Sequence, residues 1–219
     1  MKVELHLHTK RYSPCAVNTP EEMLLGLIAR GYEAVFFTEH DALWSSRDIA
    51  RLQERFPQIR IFPGLEKTLH HPSDESFQHL LILGTTSSDY LFMDDAEAII
   101  DRAAEENLPT ILAHPFRWAG SSDMLDEGLY PDAIECRTCN HSVGQAEYSR
   151  KAAAKMGMQL VNGGDAHGLR MLGRYWIETQ RPFNRAQHLR DILLAGEYDL
   201  CEANQSAPTP APKPDLVEE

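Results

Sequence analysis

The sequence predicts an α/β protein with a parallel sheet, open or closed, and three observations carry that reading. Strand-length apolar runs alternate with amphipathic helical stretches over residues 1–202. The run Ala34 to Thr38 is apolar almost throughout, as expected of a strand covered on both faces. Helix boundaries show in local chemistry: Thr19-Pro20-Glu21-Glu22 offers an N-cap, a proline at the first helical position and acids in the first turn, and Gly31 supplies the stop.

Taken in order, Lys2 to His8 sets apolar Val3, Leu5 and Leu7 between polar residues, the period of a strand. A helix runs from the Thr19 cap to Arg30, and the second strand follows. Ser46 to Phe56 is helical, with Ile49, Leu52 and Phe56 on one side. Arg60 to Glu66 and Leu80 to Gly84 read as short strands, and Met93 to Asn107 as a helix with Ala96, Ile99, Ile100 and Ala103 as its buried stripe. Further strands are expected at Pro109 to His114, Ala133 to Arg137 and Gln159 to Asn162, with a helix at Gln145 to Met156 between the last two. Asn184 to Ala195 makes a final helix that Gly196 closes. Residues 203–219 hold four prolines and end acidic, the composition of a disordered tail, so 1–202 is read as one domain.

Composition narrows the function. The 219 residues suffice for a core without disulfide staples. Lys plus Arg number 21 against 33 Asp plus Glu, a net charge of −12, which argues against an extended nucleic-acid surface. No apolar run approaches a membrane span, and the start MKVELHLH is neither a signal peptide nor a transit segment; a soluble, reducing, cytoplasmic setting is expected, with the oligomeric state open. The four cysteines form no framework, and the lone Cys136-x-x-Cys139 cannot complete a four-thiolate zinc site.

Histidine is the unusual feature, at 10 of 219 residues. His6-x-His8 puts two imidazoles on one face of the first strand, and Asp165-x-His167 is a second such pair after Leu160-Val161-Asn162. His40, Glu66 and His114 end three other strands. Catalytic groups of parallel barrels sit at the carboxyl ends of several strands, so five strand ends carrying His or a carboxylate point to a metal centre. His79 precedes Leu80 to Leu83, near the start of a strand, and ranks below the others on periodicity alone.

Six spaced segments resemble the PHP (polymerase and histidinol phosphatase) domain family of metal-dependent phosphoesterases. They are Glu4 to Thr9, Phe37 to Asp41, Gly64-Leu65-Glu66, Phe77 to Leu80, Ala113-His114-Pro115 and Gly163 to His167. The resemblance implies a distorted (β/α)7 TIM-like barrel with two or three divalent ions (zinc, manganese or iron) at its mouth. His6, His8, Glu66 and Asp165 would hold the first, and Glu66 would bridge to a second held by His79 and His114. His40 and His167 would belong to a third. Family members usually carry an Asp or His shortly after the HxH; here that stretch is Lys10 to Cys15, leaving Cys15 as the one strong extra donor.

The expected activity is hydrolysis of a small phosphoester or nucleotide-type substrate, with Asp165 as proton acceptor and His40 or His167 as acid. Arg117, Arg170 and Arg174 follow ligand motifs and are candidates for substrate phosphate, as are Lys10, Arg11 and Lys67 beside theirs. His70, His71 and His188 read as solvated, and His141 is weighed between the mouth and a structural role. The rivals are an amidohydrolase or carboxyl or carbamate esterase on the same scaffold, and a non-catalytic metal-binding module.

Overall fold

The computed structural model describes residues 1–71 and 76–203. The expected tail, from residue 204 onward, and part of the loop after Lys67 lie outside them.

Strand β1 (Lys2–Leu7), β2 (Ala34–His40) and β3 (Arg60–His70) run parallel, joined by α1 (Pro20–Ile28) and α2 (Ser46–Arg55). The capping box expected at Thr19 is formed with Glu22. The parallel pattern then breaks. β4 (Phe77–Leu83) returns antiparallel to β3, placing His79 opposite Thr68, and β5 (Thr110–Ala113), reached through α3 (Ala96–Glu105), is antiparallel to β4. Beyond the one-turn α4 (Asp123–Asp126), β6 (Ala133–Arg137) and β7 (Gln159–Asn162) are again parallel to β5, with α5 (Val143–Met156) between them. β8 (Tyr175–Thr179) and β9 (Tyr198–Glu202), separated by α6 (Ala186–Ala195), add antiparallel beyond β1. The sheet order is β7-β6-β5-β4-β3-β2-β1-β8-β9.

Two expectations are corrected. The sheet is mixed, and β8 and β9 were not anticipated, because each is short and half exposed rather than apolar. The distorted barrel itself is present and nearly closed. At the mouth, the chain after β7 pairs directly with β1: Ala166 bridges Leu7, His8 N–H donates to the Ala166 carbonyl at 3.0 Å, and Ala166 N–H to the His6 carbonyl at 3.3 Å. Seven strands thus ring the mouth. At the opposite end β8 and β9 fill the gap, where the Tyr198 hydroxyl donates to the Leu160 carbonyl (2.7 Å) and Asn162 Nδ2 to that of Cys201 (3.1 Å).

Register decides what faces inward. Val3 pairs with Ala34, Glu4 with Val35, and then Leu7 with Phe37, so three residues of β1 oppose two of β2. Such a bulge shifts alternation by one residue. Leu7 therefore joins Val35 and Phe37 in the outer core under α1 and α2, and His8 turns inward beside His40. The Thr38 hydroxyl holds the broken ladder, accepting from Leu7 N–H at 3.0 Å and donating to its carbonyl at 3.3 Å. A second cluster, including Leu5, Phe36, Leu81, Ile111 and Ile134, fills the barrel and the space under α3 and α6.

Candidate metal centre

Glu66, fully buried, is the hub of the mouth. Its Oε2 lies 3.1 Å from His6 Nε2 and from His8 Nε2, and 3.0 Å from His40 Nδ1; its Oε1 lies 2.7 Å from His79 Nδ1 and 3.0 Å from His114 Nε2. Asp165 stands across from it, with Oδ1 3.5 Å from His6 Nε2, His8 Nε2 and His167 Nδ1. All eight residues named as ligands from sequence therefore converge. His40 groups with Glu66 and His79 as well as with His8 and His167, a wider role than the resemblance implied. His79 arrives because β4 is antiparallel: the start of that strand lies level with the carboxyl ends of its parallel neighbours. His114 (φ 28°) and Asp165 (φ 45°) both hold left-handed backbone, which L-residues adopt at a cost of about 1–3 kcal/mol each.

Four side chains beneath the mouth fix these groups, and none of them is assigned a role from sequence. Glu135 Oε1 accepts from His6 Nδ1 (2.9 Å) while its Oε2 accepts from the His114 backbone N–H (2.7 Å). Ser13 Oγ accepts from His8 Nδ1 (3.3 Å) and donates to Glu39 Oε2 (2.6 Å). Asn140 Nδ2 donates to Asp165 Oδ2 at 2.7 Å. His167 Nδ1 donates to the Asp165 carbonyl at 3.0 Å. With Nδ1 of His6, His8 and His167 so engaged, Nε2 is the nitrogen each ring turns to a ligand. Glu4 completes the frame: its Oε1 accepts from the N–H groups of Gly164 (2.6 Å) and His6 (3.2 Å). The Gly163-Gly164 pair is what admits these carboxylates, since a Cβ on Gly163 would lie 2.6 Å from Glu135 Oε1 and one on Gly164 2.6 Å from Glu4 Oε2.

The donor set suits divalent cations. Glu66 Oε2, His6 Nε2 and His8 Nε2 are buried, close together and without a hydrogen-bond partner, an arrangement that costs free energy unless a cation joins them. Burial pushes Glu66 and Asp165 up, but the imidazoles around them outweigh it and hold both well below the usual carboxylate range. Burial, and then the neighbouring His8, push His167 down to about 4. The centre thus offers two carboxylates and an uncharged His167 at neutral pH.

The remaining candidates divide. Arg117 reaches the centre, its guanidinium 3.5 Å from Asp165 Oδ2. Arg170 and Arg174 are exposed on the loop between β7 and β8, which packs against α1 through Leu169 and Leu172. Cys15 is exposed and belongs to none of the ligand groups found among the described residues. Lys67 turns to Asp94 (3.2 Å) and the Leu91 carbonyl. His141 is structural, bridging the carbonyls of Cys136 and Pro115. His70 is exposed at the end of β3, and His71 meets Glu127 at 3.2 Å. No helix among the described residues is long and apolar enough to cross a membrane.

Comparison with known proteins agrees with this architecture. Residues 145–198 match the PHP-associated family model. No curated protein sequence matches the chain. Among solved structures, a two-domain protein of Bacteroides vulgatus, described as containing a predicted PHP-like metal-dependent phosphoesterase, superposes with a TM-score of 0.68 at 14% identity over 92% of this chain. The chain spans 64% of the length of that protein. PsfC of Pseudomonas syringae gives 0.65 at 18% identity, covering 94% of this chain and 92% of its own. An amidohydrolase of Chromobacterium violaceum with bound sulfate and no metal gives 0.58 at 13%, covering 77% and 88%. At these identities the shared property is the fold.

Proposed function

We propose that this chain, which carries a PHP-type barrel, is a metal-dependent hydrolase acting on a small phosphoester. The observation that supports it best is the convergence of unpartnered Glu66 Oε2, His6 Nε2 and His8 Nε2 opposite Asp165, with the Arg117 cation at the same mouth. His6, His8, Glu66 and Asp165 would hold one divalent ion, Glu66, His79 and His114 a second, and His40 and His167 would belong to a third. Ions held there would lower the pKa of a bound water toward about 7 and draw charge from a phosphoryl oxygen.

The chain's own groups supply the rest. Asn140 and Arg117 both sit on Asp165 Oδ2, so Oδ1 is the atom turned to the centre and the one to accept a proton from a nucleophile. With only the first two ions held, His40, 28% of its side chain exposed at the mouth, is assigned proton donation to the leaving oxygen. His167, held at about 4, is unprotonated at neutral pH and serves as a ligand rather than an acid. The Arg117 guanidinium, 35% exposed and over the Trp118 ring, orients the substrate phosphate.

The test compares aryl phosphate and aryl carboxyl ester turnover under the same metal, after chelator treatment and reconstitution with manganese or zinc. Phosphate ester turnover should vanish with chelator and return with metal, and Glu66→Ala should lower kcat at least about a hundredfold. Turnover of the carboxyl ester alone would assign the centre to amidohydrolase-type chemistry, which the likeness to the Chromobacterium violaceum fold keeps as the second reading. Less than one metal per chain after reconstitution would defeat both.

A further inference from the structure

A second concave site lies on the outer flank of the mouth, and its charge is opposite to that of the molecule. A cavity of about 420 Å³ opens between α1 and α2 under the segment that follows His8. Both helices start at the carboxyl ends of parallel strands, so their first turns stand at the rim of the barrel mouth. Asp48, Arg51, Leu52 and Arg55 line the cavity from α2 at positions i, i+3, i+4 and i+7, one helical face. Lys10 and Arg11 close it from above, and Glu21 enters from α1. In a chain of net charge −12, this wall carries four cations against two acids.

The acids orient the cations without cancelling them. Asp48 is shared, 3.4 Å from Arg11 and 3.6 Å from Arg51, while Glu21 binds Arg55 at 2.8 Å. On the wall itself two positive charges remain in excess, with Glu22 of α1 next to Lys10 outside the lining. Arg11 is held in place by aromatic faces, its guanidinium 5.2 Å from the Tyr12 ring centroid and 5.1 Å from that of Trp44. Pre-positioned guanidinium forks around a small cavity are the chemistry that takes phosphate-type oxyanions.

We propose that this cleft is an oxyanion site for a phosphate-type group, separate from the metal centre and coupled to it. The coupling runs through bonds on the page. Trp44 Nε1, in the cleft wall, donates to Glu39 Oε1 at 3.1 Å; Ser13 Oγ donates to Glu39 Oε2; and Ser13 accepts from His8 Nδ1. An anion drawing Lys10 and Arg11 onto α2 tightens the segment that holds His8.

The experiment is calorimetric titration of chelator-treated protein with inorganic pyrophosphate at fixed ionic strength, which needs no turnover and stands whether or not the phosphoesterase reading survives. One pyrophosphate per chain should bind wild type and the Arg117→Ala protein alike, and the Arg11→Ala/Arg51→Ala protein at least about tenfold more weakly. These are surface side chains, so each protein should fold. Loss of binding in Arg117→Ala but not in the double variant, or no binding to wild type at millimolar pyrophosphate, overturns the proposal. Kinetics of the loaded protein then separate two sources of the anion. A KM increase in the double variant larger for substrates with a second phosphate marks a remote group of the substrate. An effect of added pyrophosphate on aryl phosphate turnover that the double variant loses marks a free effector.

Discussion

Glu135 Oε1 lies 2.9 Å from His6 Nδ1, with both side chains fully buried. The carboxylate's other oxygen holds the backbone N–H of His114, so one residue of β6 fixes ligands on β1 and β5 together. A carboxylate behind an imidazole sets its tautomer and raises its basicity.

The first prediction follows from that pair. Glu135→Gln should keep the fold and weaken metal affinity by about 10- to 100-fold, because an amide cannot accept from both donors at once. Glu135→Ala leaves the His6 and His114 groups unpaired and should also cost about 1–3 kcal/mol of stability. Chelator-competition titration with circular dichroism reads both quantities. Equal metal affinity in wild type and Glu135→Gln would show that His6 is oriented by something else.

The second concerns the space that pair occupies. A Cβ at Gly163 would sit 2.6 Å from Glu135 Oε1 and 3.1 Å from His6 Cβ, with the carboxylate too tightly bonded to yield. Gly163→Ala should destabilise by about 1–3 kcal/mol and loosen the metal centre with it. Gly144, in the first turn of α5, is the control: its Cβ would meet nothing nearer than Ser142 Oγ at 4.0 Å. Gly144→Ala should be neutral or stabilising by up to about 1 kcal/mol. Urea unfolding of the two variants gives the comparison, and equal midpoints would remove the argument.

What the sequence disclosed, and what it withheld, divides along these lines. Seven of the eight converging residues are legible because they lie at or just past strand ends, and strand ends follow from apolar runs and caps. His79 is not, since only the antiparallel return of β4 brings the start of a strand to the mouth. Glu4 and Glu39 lie in the motif segments and Glu135 in a strand, yet nothing local in the sequence gives them a role. Their importance rests on contacts 21 to 160 residues away, such as Glu135 to His114 and Glu4 to Gly164. Arg170 and Arg174 follow His167 in sequence and are exposed on a loop that packs on α1. Strands β8 and β9 escaped because one face of each meets solvent.

A pH dependence follows from Glu4. Burial, opposed by the N–H groups of Gly164 and His6, pushes its carboxyl from 4.5 up to about 7. Between those values the native protein keeps a proton that the unfolded chain has released, so the contribution of Glu4 to stability falls as pH rises through that window. Relative to wild type, Glu4→Gln should be no more stable near pH 4 and should gain up to about 3 kcal/mol by pH 8. Urea unfolding of both chelator-treated proteins at several pH values measures the difference. A difference that does not change with pH would place the Glu4 titration elsewhere.

The segment after the HxH pair supplies the last prediction. Cys15 is exposed and in none of the ligand groups among the described residues, and partial burial, with the charges of Glu66 and Asp165, pushes its thiol up, away from the thiolate a metal needs. Ser13, two residues earlier, is fully buried with its hydroxyl among His8 Nδ1, Glu39 Oε2 and the His40 N–H. A serine there is a poor ligand but a good spacer: its hydroxyl accepts a hydrogen bond from His8 Nδ1 and donates one to Glu39. Cys15→Ser should therefore leave metal stoichiometry and affinity unchanged. Ser13→Ala removes the shared partner of three groups and should cost about 1–3 kcal/mol of stability as well as weakening the site that uses His8. Elemental analysis and competition titration of both variants decide the matter, and loss of one tightly held ion in Cys15→Ser would return the thiol to the ligand set.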